Sequence, residues 1–251
     1  KKDVTTSYTI GKPNIGTLTV TPRAIELTAG SANKAYDGTP LTENSYTVSS
    51  GTFVDGEGLA SVTVEGSQTI VGSSENVIKD HTLKENTKAE NYTITYVKGT
   101  LTVTASGKLT VAGNTATFDY DGKSHGEAAV ANITDGTTIS YSTDGGAKWS
   151  TDFPTIKNVG TVTVTVKAEN PNYKTAEDIY NLTVNPAEVT VTADDKTKVY
   201  GDPDPALTAT VAGLVDDAEI HYDLHRVLGE DVGSYTITLI GAENQGNYHV
   251  T

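Results

Sequence analysis

Residues with the types and spacing for chemistry fall into four small groups. His221-Tyr222-Asp223-Leu224-His225 alternates polar and apolar side chains. Successive side chains on a strand point to opposite faces, so His221, Asp223 and His225 would share one face. Imidazoles and a carboxylate at i, i+2 spacing suit zinc, which makes this trio a candidate metal site. The plainer reading is a solvated strand face. Ser142-Thr143-Asp144-Gly145-Gly146-Ala147-Lys148-Trp149 spaces a hydroxyl, a carboxylate, a glycine and an indole as S-x-D-x-G-x-x-W. Asp-Gly is a hairpin-turn signal, and an aspartate there accepts turn amides. Ser142, Asp144, Gly146 and Trp149 therefore read as a structural staple closing a hairpin. An exposed Trp149 serving as a sugar-stacking platform is the competing reading.

The other two groups are weaker. Asp194-Asp195 and Asp202-Pro203-Asp204 offer oxygen ligands of the kind Ca²⁺ takes. They lack EF-hand spacing, and Asp and Pro here fit ordinary turn chemistry. Ser124 and His125 are neighbours, but on a strand they point apart and cannot form a nucleophile–base pair. No paired-carboxylate motif, nucleophile–base motif or phosphate loop is present. The sequence implies no enzyme, no catalytic residues and no cofactor.

The elements that must position these groups are strands. Thr161–Lys167 reads TVTVTVK, with valines on one face and threonines on the other, as in a strand half buried in a sandwich. Similar alternation predicts strands over Ile25–Thr28, Tyr46–Ser49, Leu59–Glu65, Asn76–Leu83, Asn91–Val103, Thr138–Ser142, Glu188–Thr192, Leu207–Val211, Glu219–His225, Ser234–Leu239 and Tyr248–Val250. No helix-period stripe runs longer than about two turns, so the chain is expected to be all-β.

A phrase recurs. Leu-Thr-Val at Leu18–Val20, Leu101–Val103 and Leu182–Val184 leads into a further strand and then to Tyr36-Asp37-Gly38, Tyr120-Asp121-Gly122 or Tyr200-Gly201-Asp202. The leucines are 83 and 81 residues apart, a period too long for a solenoid and right for whole small domains. Val-Gly-Ser/Thr recurs at Val71, Val159 and Val232, and Asn-Tyr at Asn91, Asn172 and Asn247. Tyr36, Tyr120 and Tyr200 read as structural, since a tyrosine at a fixed place in a sandwich is commonly a core or corner residue.

Composition narrows the partners. Net charge is −14, which disfavours nucleic acid and anionic membrane surfaces. There is no cysteine, hence no disulfide framework, and no apolar run long enough to insert in a membrane. The chain opens Lys1-Lys2-Asp3 and holds no methionine, as expected of an internal stretch of a longer protein.

In their order, these landmarks resemble the MBG repeats, mostly-β, glycine-rich modules of YDG and YGX type found in tandem in bacterial surface proteins. Residues 186–251 look most like the YGX type and 23–104 like the YDG type, while 105–185 also resembles a bacterial Ig-like domain. The Ser142–Trp149 stretch resembles the Asp-box of sialidases. Only Arg23 and Arg226 are available for the arginine cluster a sialidase needs.

The expected architecture is a tandem array of small Ig-like β-sandwich modules in an elongated rod. Residues 1–22 are expected to be terminal strands of a preceding repeat, followed by modules at 23–104, 105–185 and 186–251, the last without its closing strand. Residues 1–22, including Tyr8–Ile10 and Thr17–Val20, are expected to pair with the first module or with the third module of a neighbouring molecule. The resemblance implies a structural stalk of a bacterial cell-surface or secreted adhesin-like protein, extracellular and cell-surface or cell-wall attached. The alternatives are an adhesin module for host glycan or protein and an accessory domain of an extracellular glycosidase. The expected partners are neighbouring repeats of the same chain.

Overall fold

The computed structural model describes residues 15–251. The described residues are almost entirely strand and loop, with one short 3₁₀ turn at Ala89–Asn91. The chain divides into two compact units, Lys1–Ala105 and Ser106–Thr251.

The first unit holds two sheets. One orders Tyr46–Ser50, Arg23–Ala29 and Tyr92–Val97, and the other orders Ala32–Ala35, Gly99–Thr104, Gly72–Leu83 and Leu59–Glu65. Ile25, Leu27, Ala29, Val64, Ile78 and Tyr92 form the core between them. The alternating run 91–103 predicts one strand, yet it is two strands in two sheets, broken at Lys98. The chain changes sheet there, beside the matching change at Gly30. A Cβ on Gly99 would lie 2.1 Å from the Gly30 carbonyl oxygen, so only glycine fits the crossing. Fully buried Asn76 fastens the same corner, donating to the carbonyls of Gly30 (2.9 Å) and Glu43 (2.7 Å).

The second unit holds two sheet systems. In residues 106–185, one sheet orders Thr138–Ser142, Gly160–Glu169, Ala176–Asn185 and Ala116–Asp119, and Val111–Ala112 pairs with Val130–Ala131. Val164, Val166, Ala168, Leu182 and Val184 are all but inaccessible, each large one worth about 1.5–3 kcal/mol of burial. In residues 187–251, one sheet orders Ala209–Ala212, Ala187–Ala193, Tyr248–Val250 and Asn244–Gln245, and Asp223–Arg226 pairs with Ile237–Ile240. Pro186 alone separates Ala176–Asn185 from Ala187–Ala193. Val189, Val191 and Tyr248 belong to the same buried cluster as Leu182 and Val184, so one core runs across that seam.

Three registers repeat. Arg23 pairs in parallel with Tyr92, Ser106 with Tyr173 and Ala187 with Tyr248. Each recurring Asn-Tyr therefore sets its tyrosine beside the start of its own repeat. Two expectations are corrected. Thr17–Val20 is not a strand: Leu18 and Val20 are 90% and 85% exposed, and among the described residues no strand pairs with them. Tyr8–Ile10 lies outside the described residues. In residues 187–251, Glu219–His225 and Ser234–Leu239 form a ladder only over Asp223–Arg226 and Ile237–Ile240, since the flanking residues have no ladder partner.

Candidate functional site

The most elaborate polar arrangement sits at the Pro186 seam. Tyr120 follows strand Ala116–Asp119, and its amide donates to the Asn185 carbonyl (2.9 Å). This places a 4% exposed ring against the neighbouring sheet. There its hydroxyl donates to Asp216 Oδ2 (2.6 Å), and the Tyr248 hydroxyl donates to Oδ1 of the same carboxylate (2.6 Å). The two rings meet edge to face at 5.6 Å and 85°, the favoured aromatic geometry. The Ala218 amide gives Asp216 a third donor (3.1 Å), and the Val215 amide donates to the Tyr248 hydroxyl (3.3 Å). Hydrogen bonds from Tyr120 first and Tyr248 second hold the Asp216 carboxyl below its usual range. The same carboxylate raises the Tyr120 phenol, while burial is the larger cause at Tyr248. Asn247 completes the seam. It accepts from the Val159 amide (2.9 Å) and donates to Asn158 Oδ1 (3.2 Å), and its carbonyl accepts from the Ala187 amide (3.0 Å).

Sequence reasoning singled out Tyr120 but missed Asp216. One signal was available: Val-Asp occurs at Val54-Asp55 and Val215-Asp216, and each valine amide donates to the tyrosine of the following Asn-Tyr. Tyr36 is half-buried, and its amide donates to the Thr104 carbonyl (2.8 Å), matching the Tyr120–Asn185 bond. Tyr200 is 70% exposed.

The hairpin stretch is a closed local network. Ser142 Oγ donates to Asp144 Oδ1 (2.7 Å), and that oxygen accepts the Lys148 amide (2.9 Å). The Gly146 amide donates to Ser142 Oγ (2.9 Å), and Trp149 Nε1 donates to the Gly146 carbonyl (3.0 Å). Tyr141 and Ser150 exchange backbone bonds of 2.7 and 2.9 Å across the closure. The Lys148 amide first and the Ser142 hydroxyl second hold Asp144 below the usual carboxylate range. Lys167 Nζ lies 4.6 Å from the Trp149 ring centroid, a cation–π contact over the face a sugar would stack on.

His221, Asp223 and His225 lie on the exposed face of their segment, with Tyr222 and Leu224 turned inward. They do not converge. Same-face residues on a strand sit roughly 7 Å apart in a line, which spreads three side chains past one ion. Among the described residues no group of three His, Cys, Asp or Glu side chains gathers to hold a metal. Asp194 accepts from the Thr208 (2.5 Å) and Thr210 (2.8 Å) hydroxyls. Asp204 pairs with Lys198 (2.7 Å) and Arg226 (2.6 Å), and Glu230 closes the ring onto both cations at 2.6 Å. Arg226 first and Lys198 second pull Asp204 down to about 2. His125 pairs with Asp121 (2.7 Å) and stacks on Phe118 rather than meeting Ser124. Among the described residues, no helix is long and apolar enough to cross a membrane.

Residues 189–251 match the family model of the MBG domain (YGX type). The chain thus contains an MBG domain, of a family found in bacterial surface proteins. No curated protein matches the sequence. Among solved structures, the chain is similar to Drosophila N-cadherin EC1-4 at 9% identity and TM-score 0.28, over 81% of this chain and 62% of that one. It is also similar to extracellular cadherin domains 1-4 of protocadherin gamma B7, at 10% identity and TM-score 0.25, over 88% and 67% of the two chains. A third similarity is to the N-terminal four Ig domains of Dscam1 isoform 4.44, at 13% identity and TM-score 0.25, over 90% and 73%. The chain spans about three-fifths of the length of the N-cadherin fragment.

Proposed function

We propose that this chain is a load-bearing spacer segment of a large bacterial cell-surface or secreted adhesin-like protein, acting outside the cell. The observation that carries the reading is the pairing of early with late strands. Ala32–Ala35 lies parallel to Gly99–Thr104, and Ala116–Asp119 lies parallel to Ala176–Asn185. A chain pulled at both ends loads such a parallel pair in shear, so its evenly spaced bonds resist together rather than opening one at a time. The Asp216 seam supports the same reading, since it ties two consecutive sheet systems with side chains from both. The Lys167 ammonium over Trp149 favours a staple over a platform for host glycan.

Single-molecule stretching of the full chain tests the proposal. The expected trace has discrete high-force unfolding events, and Phe118→Pro, which removes an amide donor from a short strand, lowers the force of one. Unfolding without resolved force peaks would overturn the spacer reading. So would glycan-array binding that Trp149→Ala abolishes, which would establish the adhesin alternative.

A further inference from the structure

Two phenols from different sheet systems meet at one carboxylate. Tyr120 follows strand Ala116–Asp119, and Tyr248 opens strand Tyr248–Val250, 128 positions later. Their hydroxyls donate to the two oxygens of Asp216, each at 2.6 Å, and their rings stand edge to face with centroids 5.6 Å apart. Because both hydroxyls aim at one carboxylate, the ring carbons ortho to them crowd into the same space. The rings are 4% and 3% exposed, so neither can meet a tyrosine of another molecule. Asp216 and Tyr248 also line an open cavity of about 540 Å³, together with Glu219, His221 and Gln245. That cavity gives the carboxylate a path to water.

This arrangement can do more than close a seam. A phenol hydrogen-bonded to an ionised carboxylate gives up an electron more readily than a free one, because the positioned base takes its proton as the charge leaves. Hydrogen bonds hold the Asp216 carboxyl below its usual range, so it is such a base at neutral pH. Holding the two rings together makes any coupling between them intramolecular. Tyr92 has the same local device without the second phenol: it donates to Glu57 and packs on Phe53.

We propose that Tyr120 and Tyr248 form an oxidative cross-linking site, at which a small one-electron oxidant joins the two rings by a carbon–carbon bond. One oxidant molecule takes an electron from Tyr120, whose phenolic proton passes to Asp216 Oδ2, leaving a neutral phenoxyl radical. That proton leaves through the cavity. A second oxidant molecule takes an electron from Tyr248, whose proton passes to Oδ1. An ortho carbon of each ring then supplies one unpaired electron to the new bond. The two ortho hydrogens move to the oxygens as the rings regain aromaticity. Two protons and two electrons have left the protein, and two oxidant molecules have each been reduced by one electron. The product is a covalent staple between the sheet systems of residues 106–185 and 187–251. The inference is independent of the spacer reading, since it concerns chemistry at the seam whether or not the chain bears load.

Oxidation of the full chain by azidyl radicals, generated by radiolysis of an azide solution, tests it. Each radical takes one electron and becomes azide. The wild type is expected to gain bityrosine fluorescence, lose the mass of two hydrogens, and stay monomeric. Peptide mapping should place the link between Tyr120 and Tyr248, with Tyr92 unlinked. The linked chain should melt at a higher temperature, since the bond closes a long loop in the unfolded state. Tyr120→Phe and Tyr248→Phe should each lower the yield roughly tenfold or more, as should unfolding in denaturant before oxidation. Asp216→Asn, which keeps both rings and removes the base, should also lower it roughly tenfold or more. A wild type without the link would overturn the proposal. So would a yield undiminished in either Phe variant, in Asp216→Asn or in the unfolded chain. The mapping and the unfolded-chain comparison use the wild type alone, so they decide the matter even where a variant fails to fold.

Discussion

Tyr92 in the first unit and Tyr248 in the second occupy the same place in two sheets, and only one of them belongs to a joint. Each pairs in parallel with the start of its own repeat, accepts a valine amide at its hydroxyl, and donates to a carboxylate. Tyr92 donates to Glu57 (2.5 Å) and packs on Phe53 of its own unit at 4.9 Å. Tyr248 donates to Asp216, whose second oxygen is taken by Tyr120 from the neighbouring sheet system, and its ring meets that of Tyr120. The local device is common to both. It joins two sheet systems where an aromatic ring from next door stands in for the local phenylalanine and shares the carboxylate.

The largest effect comes from breaking the frame that seats Tyr120. Leu182 is fully buried and lies three residues before Asn185, whose carbonyl takes the Tyr120 amide. Leu182→Ala is expected to cost about 2–5 kcal/mol, as is Leu101→Ala in the first unit. Denaturant unfolding checks both, and a cost below about 1 kcal/mol would mean these strands do not carry their cores.

A smaller effect sharpens the contrast directly. Tyr120→Phe and Tyr248→Phe each remove one donor from Asp216, so their stability losses should be non-additive in a double-mutant cycle. Tyr92→Phe shares no partner with Tyr120 and should add to Tyr120→Phe without coupling. Additive behaviour of the Tyr120/Tyr248 pair would show that Asp216 does not link them.

Acid offers a gentler probe. The folded-state pKa of Asp216 lies below its unfolded value, so its contribution is complete above the ordinary carboxylate value of about 3.9 and fades as pH falls through the lowered value. Asp216→Asn removes that dependence. Melting curves between neutral pH and the acid limit should converge for wild type and variant at the acid end. Parallel curves throughout would mean that ionised Asp216 adds no stability to the fold.

The strands were legible because alternation is a local property, as Thr161–Lys167 shows. The sheet change at Lys98 was overlooked although the alternation shifts phase there, from Tyr92, Ile94 and Tyr96 to Leu101 and Val103; the close approach of Gly99 to Gly30 shows where the chain crosses. The burial of Tyr120 depends on a carboxylate 96 positions away, and no short-range pattern carries that. The repeated Val-Asp would have pointed to Asp216 but also to Asp55, whereas Tyr92 uses Glu57. The His221–Asp223–His225 alternation was readable, and its failure to converge was not, since sharing a face says nothing about reaching one point.

The smallest expected effect separates a carboxylate that joins sheets from one that fastens a single loop. Asp144 has the same chemistry as Asp216, a carboxylate depressed by hydrogen-bond donors, but its partners lie within four residues. Losing it should therefore loosen only the hairpin. The chain has one tryptophan, and it sits on this loop, so its fluorescence reports the local event alone. Asp144→Ala frees the Lys148 amide and Ser142 hydroxyl, which loosens the hold of the Gly146 carbonyl on the indole. The Trp149 emission should shift to the red, while the melting of the second unit changes far less than with Leu182→Ala. Asp216→Asn should do the reverse, lowering the melt without moving the emission. An unchanged emission in Asp144→Ala would mean that the Tyr141–Ser150 pair closes the hairpin by itself and the carboxylate is dispensable there.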